Sequence, residues 1–179
     1  MKGFIKDLKK IEQILKKDAA GIIGTEAVNH FSENFEKQGF EGKPWKDVKR
    51  RNPQSSWYGH RHGANANVPA NHPRRKGAKG KYKRRKPAGI THYSPTATKT
   101  PVLSSERSEL ENSLYFKAGT NKVSIKSDKE YAKVHNEGGT VKVYGKHKAK
   151  VTARPFIGPS KELNRKIENA LTKKLKMKS

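Results

Sequence analysis

The chain contains no cysteine. That removes disulfides, thiolate zinc sites and cysteine nucleophiles from consideration, and it fits a cytosolic folding environment. Acidic residues are scarce as well: sixteen Asp and Glu stand against forty-one Lys and Arg, leaving a formal charge of +25. No uninterrupted apolar run is long enough for a signal peptide or a membrane span, so a soluble protein with no export and no membrane partner is expected. Hydrophobic residues make up only 31% of the 179 residues and aromatics 8%. A chain of this length suits one domain, residues 1–179, but much of it is expected to lie outside the single core.

What is abundant is positive charge, and it calls for an anionic partner: nucleic acid, an acidic protein surface or anionic lipid. The charge is unevenly placed. From Val48 to Ser105 there is not one acidic residue and there are fourteen Lys and Arg. The stretch is also rich in Pro, Gly, Asn and His and lacks apolar periodicity, so residues 48–102 read as a basic extended loop or arm inserted into the domain. Its densest part places Arg74, Arg75, Lys76, Lys79, Lys81, Lys83, Arg84, Arg85 and Lys86 within thirteen positions. These nine are the candidate contacts to a partner protein or to DNA.

Around that arm the sequence predicts an α+β fold. Phe4, Leu8, Ile11 and Leu15 recur at helical spacing, with charged residues on the other face. Such a basic amphipathic segment can touch a membrane surface, but a core-facing helix is the expectation. The pattern resumes with Ile22, Ile23, Ala27, Val28, Phe31 and Phe35, and Gly21 and Gly24 mark either a kink or the start of a second helix. Gln38-Gly-Phe-Glu-Gly-Lys-Pro-Trp45 ends helical structure, with Trp45 at the core edge. After a short helical turn near Ser104–Glu111, four segments alternate in the manner of strands: Ser113–Lys117, Lys122–Lys126, Tyr131–His135 and Thr140–Tyr144. They predict a small antiparallel sheet. Leu163, Ile167, Ala170, Leu171 and Leu175 line a C-terminal helix that starts near Gly158-Pro-Ser160.

Two short segments are more particular than the rest. In Tyr131-Ala-Lys-Val-His-Asn-Glu-Gly-Gly139 a strand is expected to run into a tight turn, where Gly138 and Gly139 permit positive φ. His135 and Glu137 have the spacing of a zinc deaminase pair, but that chemistry also needs cysteine ligands. In Ala153-Arg-Pro-Phe-Ile-Gly-Pro-Ser160 the two prolines stiffen a strand-to-helix joint that buries Phe156 and Ile157. Arg154, beside Pro155, suits an interface ion pair with a neighbouring subunit. His60, His62, His72 and His92 in the arm suggest a nuclease-like metal cluster only weakly, because no carboxylate accompanies them. Trp57, Tyr58, Tyr82 and Tyr93 are interleaved with the basic residues, either to stack on bases or to anchor the arm to protein.

Four pieces, Phe35 to Trp45, Leu103 to Leu114, Tyr131 to Gly139 and Ala153 to Ser160, stand in an order that resembles the tailed-phage virion morphogenesis proteins, the tail completion or neck family typified by bacteriophage Mu. The features that carry the likeness are Trp45 after its glycines, Asn112-Ser113, the Tyr131, His135, Gly138 and Gly139 set, and Arg154-Pro155-Phe156. Arg107-Ser108-Glu109 departs from the family's usual Thr-Gly, and the length and charge of the arm are not explained by the family pattern. The resemblance implies a structural virion protein and no reaction and no cofactor. It implies placement at the neck or head–tail junction after assembly in the host cytoplasm, as a homo-oligomeric ring of about six or twelve copies with closed cyclic symmetry. Other neck, portal-connector or tail proteins are the implied partners, with possible contact to DNA in the channel. The competing expectation is a free-standing basic nucleic-acid-binding protein.

Overall fold

The computed structural model describes residues 8–9, 11–12, 18–64, 66–69, 72, 92–104, 107–119, 122–143 and 147–177. They fall into two compact units, Met1–Trp45 with Glu106–Ser179, and Lys46–Ser105.

The first unit is α+β. Helix α1, Ala19–Lys37, buries Ala27, Phe31, Asn34 and Phe35, the three- and four-residue spacing that sets one helical face against a core. It begins before Gly21 and runs through both glycines. Gly24 is a contact rather than a break, because the Phe116 ring lies where a side chain at that position would project. Leu8, Lys9, Ile11 and Glu12 are helical; the rest of the expected first helix lies outside the described residues.

Helix α1 stops at Gln38, which takes a left-handed φ of 53° while its N–H bonds Asn34 O. Strands β1 (Gly39–Phe40) and β2 (Lys43–Pro44) follow as a minimal hairpin. Its two turn residues, Glu41 and Gly42, both have positive φ, at 49° and 73°, as a type I′ turn demands.

The remaining strands form two more hairpins rather than one continuous sheet. β3 (Leu114–Gly119) pairs antiparallel with β4 (Lys122–Ser127), and β5 (Gly139–Val143) with β6 (His147–Val151). Between them lies helix α2, Ala132–Glu137, and after them helix α3, Lys161–Met177. Helix α1 packs against β3, β4 and α3. The segment expected as a strand at Tyr131–His135 is therefore a short helix. Its apparent alternation comes from a single turn that buries only Ala132.

The start of α3 is as the sequence implies. Ser160 Oγ accepts the Leu163 N–H at 3.0 Å, which satisfies one of the four N–H groups that a helix start leaves without internal partners.

In the second unit the described residues hold one 3-10 turn, Thr96–Thr98, and an isolated antiparallel bridge, His60 to Tyr93. The expected absence of apolar periodicity thus produces irregular structure, yet the described part is folded on itself. Gly59 N–H donates to Arg50 O and Ser94 N–H to Gly59 O, both at 2.8 Å, and Arg61 N–H donates to His92 O at 2.7 Å. Val68 and Tyr93 are buried, with Tyr58 packed against them. Gly59 has a φ of +66°, and a side chain there would meet the Tyr93 ring. Among the described residues no helix is long and apolar enough to cross a membrane.

Candidate functional site: an interlocked pair of motifs

The two particular segments of the sequence bind each other. Helix α2 ends where Gly138, at φ +77°, caps its last turn by donating to Val134 O. Directly beside it the Ala153–Ser160 joint passes by. Arg154 N–H donates to His135 O at 2.8 Å. Asn136 then grips the next residues: its Oδ1 accepts the N–H of Phe156 at 2.8 Å and of Ile157 at 3.0 Å, and its Nδ2 donates to Ile157 O at 3.1 Å.

Two further side chains hold the same short run of backbone from other elements. Trp45 Nε1 donates to Pro155 O at 2.7 Å, and Asn34 Nδ2 of helix α1 donates to Phe156 O at 3.0 Å. Pro155, Phe156 and Ile157 are thereby held from three directions. A strand-to-helix joint has no ladder of its own to satisfy its peptide groups, so these side chains supply the bonds that burial requires.

Packing completes the lock. Phe156 is 1% exposed, and its ring lies 5.1 Å from that of Phe35, which in turn meets Trp45 edge-on at 5.6 Å. Burying a side chain of this size contributes about 2–3 kcal/mol. Gly138 must be glycine for two independent reasons: its positive φ, and a would-be Cβ only 2.9 Å from Ala153 N.

The remaining expected residues fall as follows. Tyr131 is exposed and stands edge-on to the His135 ring at 5.7 Å. Burial, then the charge of Arg154, hold the His135 imidazole below its ordinary value, and its Nδ1 is buried without a hydrogen-bond partner. Gly139 has a φ of +146°. Arg154 is 8% exposed, with Nη1 donating to Thr152 O at a long 3.5 Å, so its guanidinium lies against its own chain. Trp45, His135, Gly138, Arg154, Pro155 and Phe156 are thus one structural assembly. Arg74, Arg75, Lys76, Lys79, Lys81, Lys83, Arg84, Arg85 and Lys86 lie outside the described residues.

The Asn112-Ser113 pair anchors the next piece. Ser113 Oγ donates to Leu110 O at 2.6 Å and meets Ser127 Oγ at 2.6 Å, tying the entry of β3 to the exit of β4, with Leu110 and Leu114 buried beside it. Sequence reasoning missed what Asn34, Asn136 and Ser113 hold, although Asn112-Ser113 already stood among the family features. Their signal was available only as asparagine and serine placed among buried positions, which is where amides and hydroxyls serve backbone rather than solvent.

Two polar clusters complete the picture. His30 bonds Ser160 Oγ at 2.9 Å, and its imidazole is held below the ordinary value by burial and then by Lys166. His30, Glu33 and Glu162 carry ligand-type atoms within 4.8 Å of one another. Both carboxylates already face Lys37 and Lys166, the closest contact being Lys166 to Glu33 at 2.8 Å. The cluster acts as an ion-pair lattice between α1 and α3. In the second unit the rings of His60 and His62 lie 5.6 and 5.0 Å from that of His92, and His92 Nδ1 accepts the Gly63 N–H at 3.0 Å. His72 Nε2 meets Tyr58 O at 2.8 Å.

A model of the phage virion morphogenesis family matches residues 71–176. This chain belongs to that family. No curated protein and no solved structure matches it. The match covers the Asn112-Ser113 anchor, α2 and the joint, while Asn34, Phe35 and Trp45, which hold the joint from the other side, precede the matched residues. Within the interlock the side-chain bonds of Asn34, Trp45 and Asn136 all go to backbone groups.

Proposed function

We propose that this virion morphogenesis protein completes the tail or forms the neck at the head–tail junction, as a homo-oligomeric ring around the DNA channel. The observation that carries the reading is the interlock. Asn34, Trp45 and Asn136 converge on Pro155, Phe156 and Ile157, making one stiff body that includes three of the four segments on which the resemblance to Mu-like tail completion proteins rests. A ring subunit needs such stiffness, because small errors in subunit angle accumulate around a closed symmetry.

The basic run from Arg74 to Lys86 serves as the reaching element, docking on acidic surfaces of adjoining neck, portal-connector or tail subunits or facing channel DNA. Supporting this, the residues that bracket the run are rooted: the rings of His72 and Tyr93 lie 5.4 Å apart, and His72 and Tyr93 are both buried.

Replacing Arg74, Arg75, Lys76, Arg84, Arg85 and Lys86 by glutamine should yield unattached heads and tails under the electron microscope. Normal infectious particles from that variant would remove the arm from the mechanism. Native mass measurement of the purified protein checks the ring itself: a single cyclic oligomer is expected, and a monomer at assembly concentrations contradicts it.

A further inference from the structure

The four strands β3 to β6 carry six lysines and not one aspartate, glutamate or arginine. Antiparallel register sorts them by face. On the β3–β4 hairpin, Tyr115 stands opposite Lys126, Lys117 opposite Ser124 and Gly119 opposite Lys122, so Tyr115, Lys117, Lys122 and Lys126 share the face turned away from Leu114, Phe116 and Ile125. On the β5–β6 hairpin, Lys142 stands directly opposite Lys148, and Thr140 opposite Lys150. All six lysines are exposed, and among the described residues none of them makes an ion pair. Lys117 Nζ sits 5.8 Å from the centre of the Tyr115 ring.

Like charges directly opposite on a two-stranded ribbon are destabilising. An acid-free face that keeps Lys142 against Lys148 makes sense when an external anion supplies the missing charge. The composition also separates two kinds of anionic partner. Protein interfaces favour arginine, aromatic and methionine anchors and are depleted in lysine, whereas phosphate backbones are met by flexible point charges that read no sequence. These faces offer lysines, one serine, one threonine and a single half-exposed tyrosine.

We infer that the lysine faces of the β3–β4 and β5–β6 hairpins bind the phosphate backbone of duplex DNA without sequence preference. These lysines are different residues from the Arg74–Lys86 run, and the inference concerns the full chain in solution, whether or not it closes into a ring.

The test is binding of the full-length protein to a short mixed-sequence DNA duplex across a salt series. Replacing Lys117, Lys126, Lys142 and Lys148 by glutamine should make the slope of log affinity against log salt shallower by up to about 3.6, at roughly 0.9 per phosphate contact, and lower affinity about tenfold or more near physiological salt. The comparison variant removes the same charge from the outer face of α3, at Lys161, Arg165, Lys173 and Lys176, and should change the slope much less. Equal losses in both variants would reduce the effect to bulk charge and overturn the inference. So would unchanged DNA binding in the hairpin variant, including the case where it loses binding to an acidic polypeptide instead. Lys142→Arg with Lys148→Arg keeps the charge and should keep the affinity; loss in that variant would also overturn it.

Discussion

The side-chain amide of Asn136 pairs with both backbone groups of Ile157, accepting its N–H at 3.0 Å and donating to its carbonyl at 3.1 Å. In effect it acts as a one-residue strand for a segment that has no strand partner. Asn136→Ala removes these bonds and the one to Phe156 N–H, leaving part-buried donors unmatched, and should destabilise by about 2–4 kcal/mol. Denaturant unfolding measures it; a loss within experimental error would mean the Asn136 amide does not hold the joint.

Two glycines of one helix make opposite predictions. Gly21 has open space where a Cβ would go, while at Gly24 a Cβ would fall 2.3 Å from the Phe116 ring. Gly21→Ala should stabilise by about 0.5–1 kcal/mol through helix propensity. At Gly24 the same change carries the same propensity gain but forces the Phe116 ring off its contact, for a net loss of about 1–2 kcal/mol. Thermal melts of the two variants should move in opposite directions.

His30 and His135 share a pH signature. Burial holds both imidazoles below the ordinary 6.5, with Lys166 adding to the effect at His30 and Arg154 at His135. The unfolded chain therefore takes up protons first, so the stability these groups contribute is complete above about pH 6.5 and is lost as pH falls below it. Melting temperature should fall between about pH 7 and pH 5, and the fall should flatten when both are replaced by glutamine. A wild-type melting temperature constant over that range would contradict the burial of these two rings.

The parts of the fold that could be read in the sequence are those with a long period or a capping residue. Phe31 and Phe35 mark the buried face of α1, and Ser160 marks the start of α3. Helix α2 could not be read, because six residues give less than two turns of periodicity and Tyr131, Lys133 and His135 mimic strand alternation. Strand β6 was missed since His147, Lys148 and Lys150 give it a polar surface, and alternation does not say which strands pair, so one sheet was expected where hairpins stand. For the candidate site, the two motifs were visible but their mutual grip was not: it depends on Asn34 and Trp45, more than a hundred residues from the joint in sequence, and on an amide whose partners are peptide groups.

Electron microscopy of lysates in which the encoding phage lacks only this protein tests the central claim most directly. The head–tail junction account predicts full-length tails and DNA-filled heads present in normal numbers but unjoined. Intact, infectious particles made without it would contradict the account.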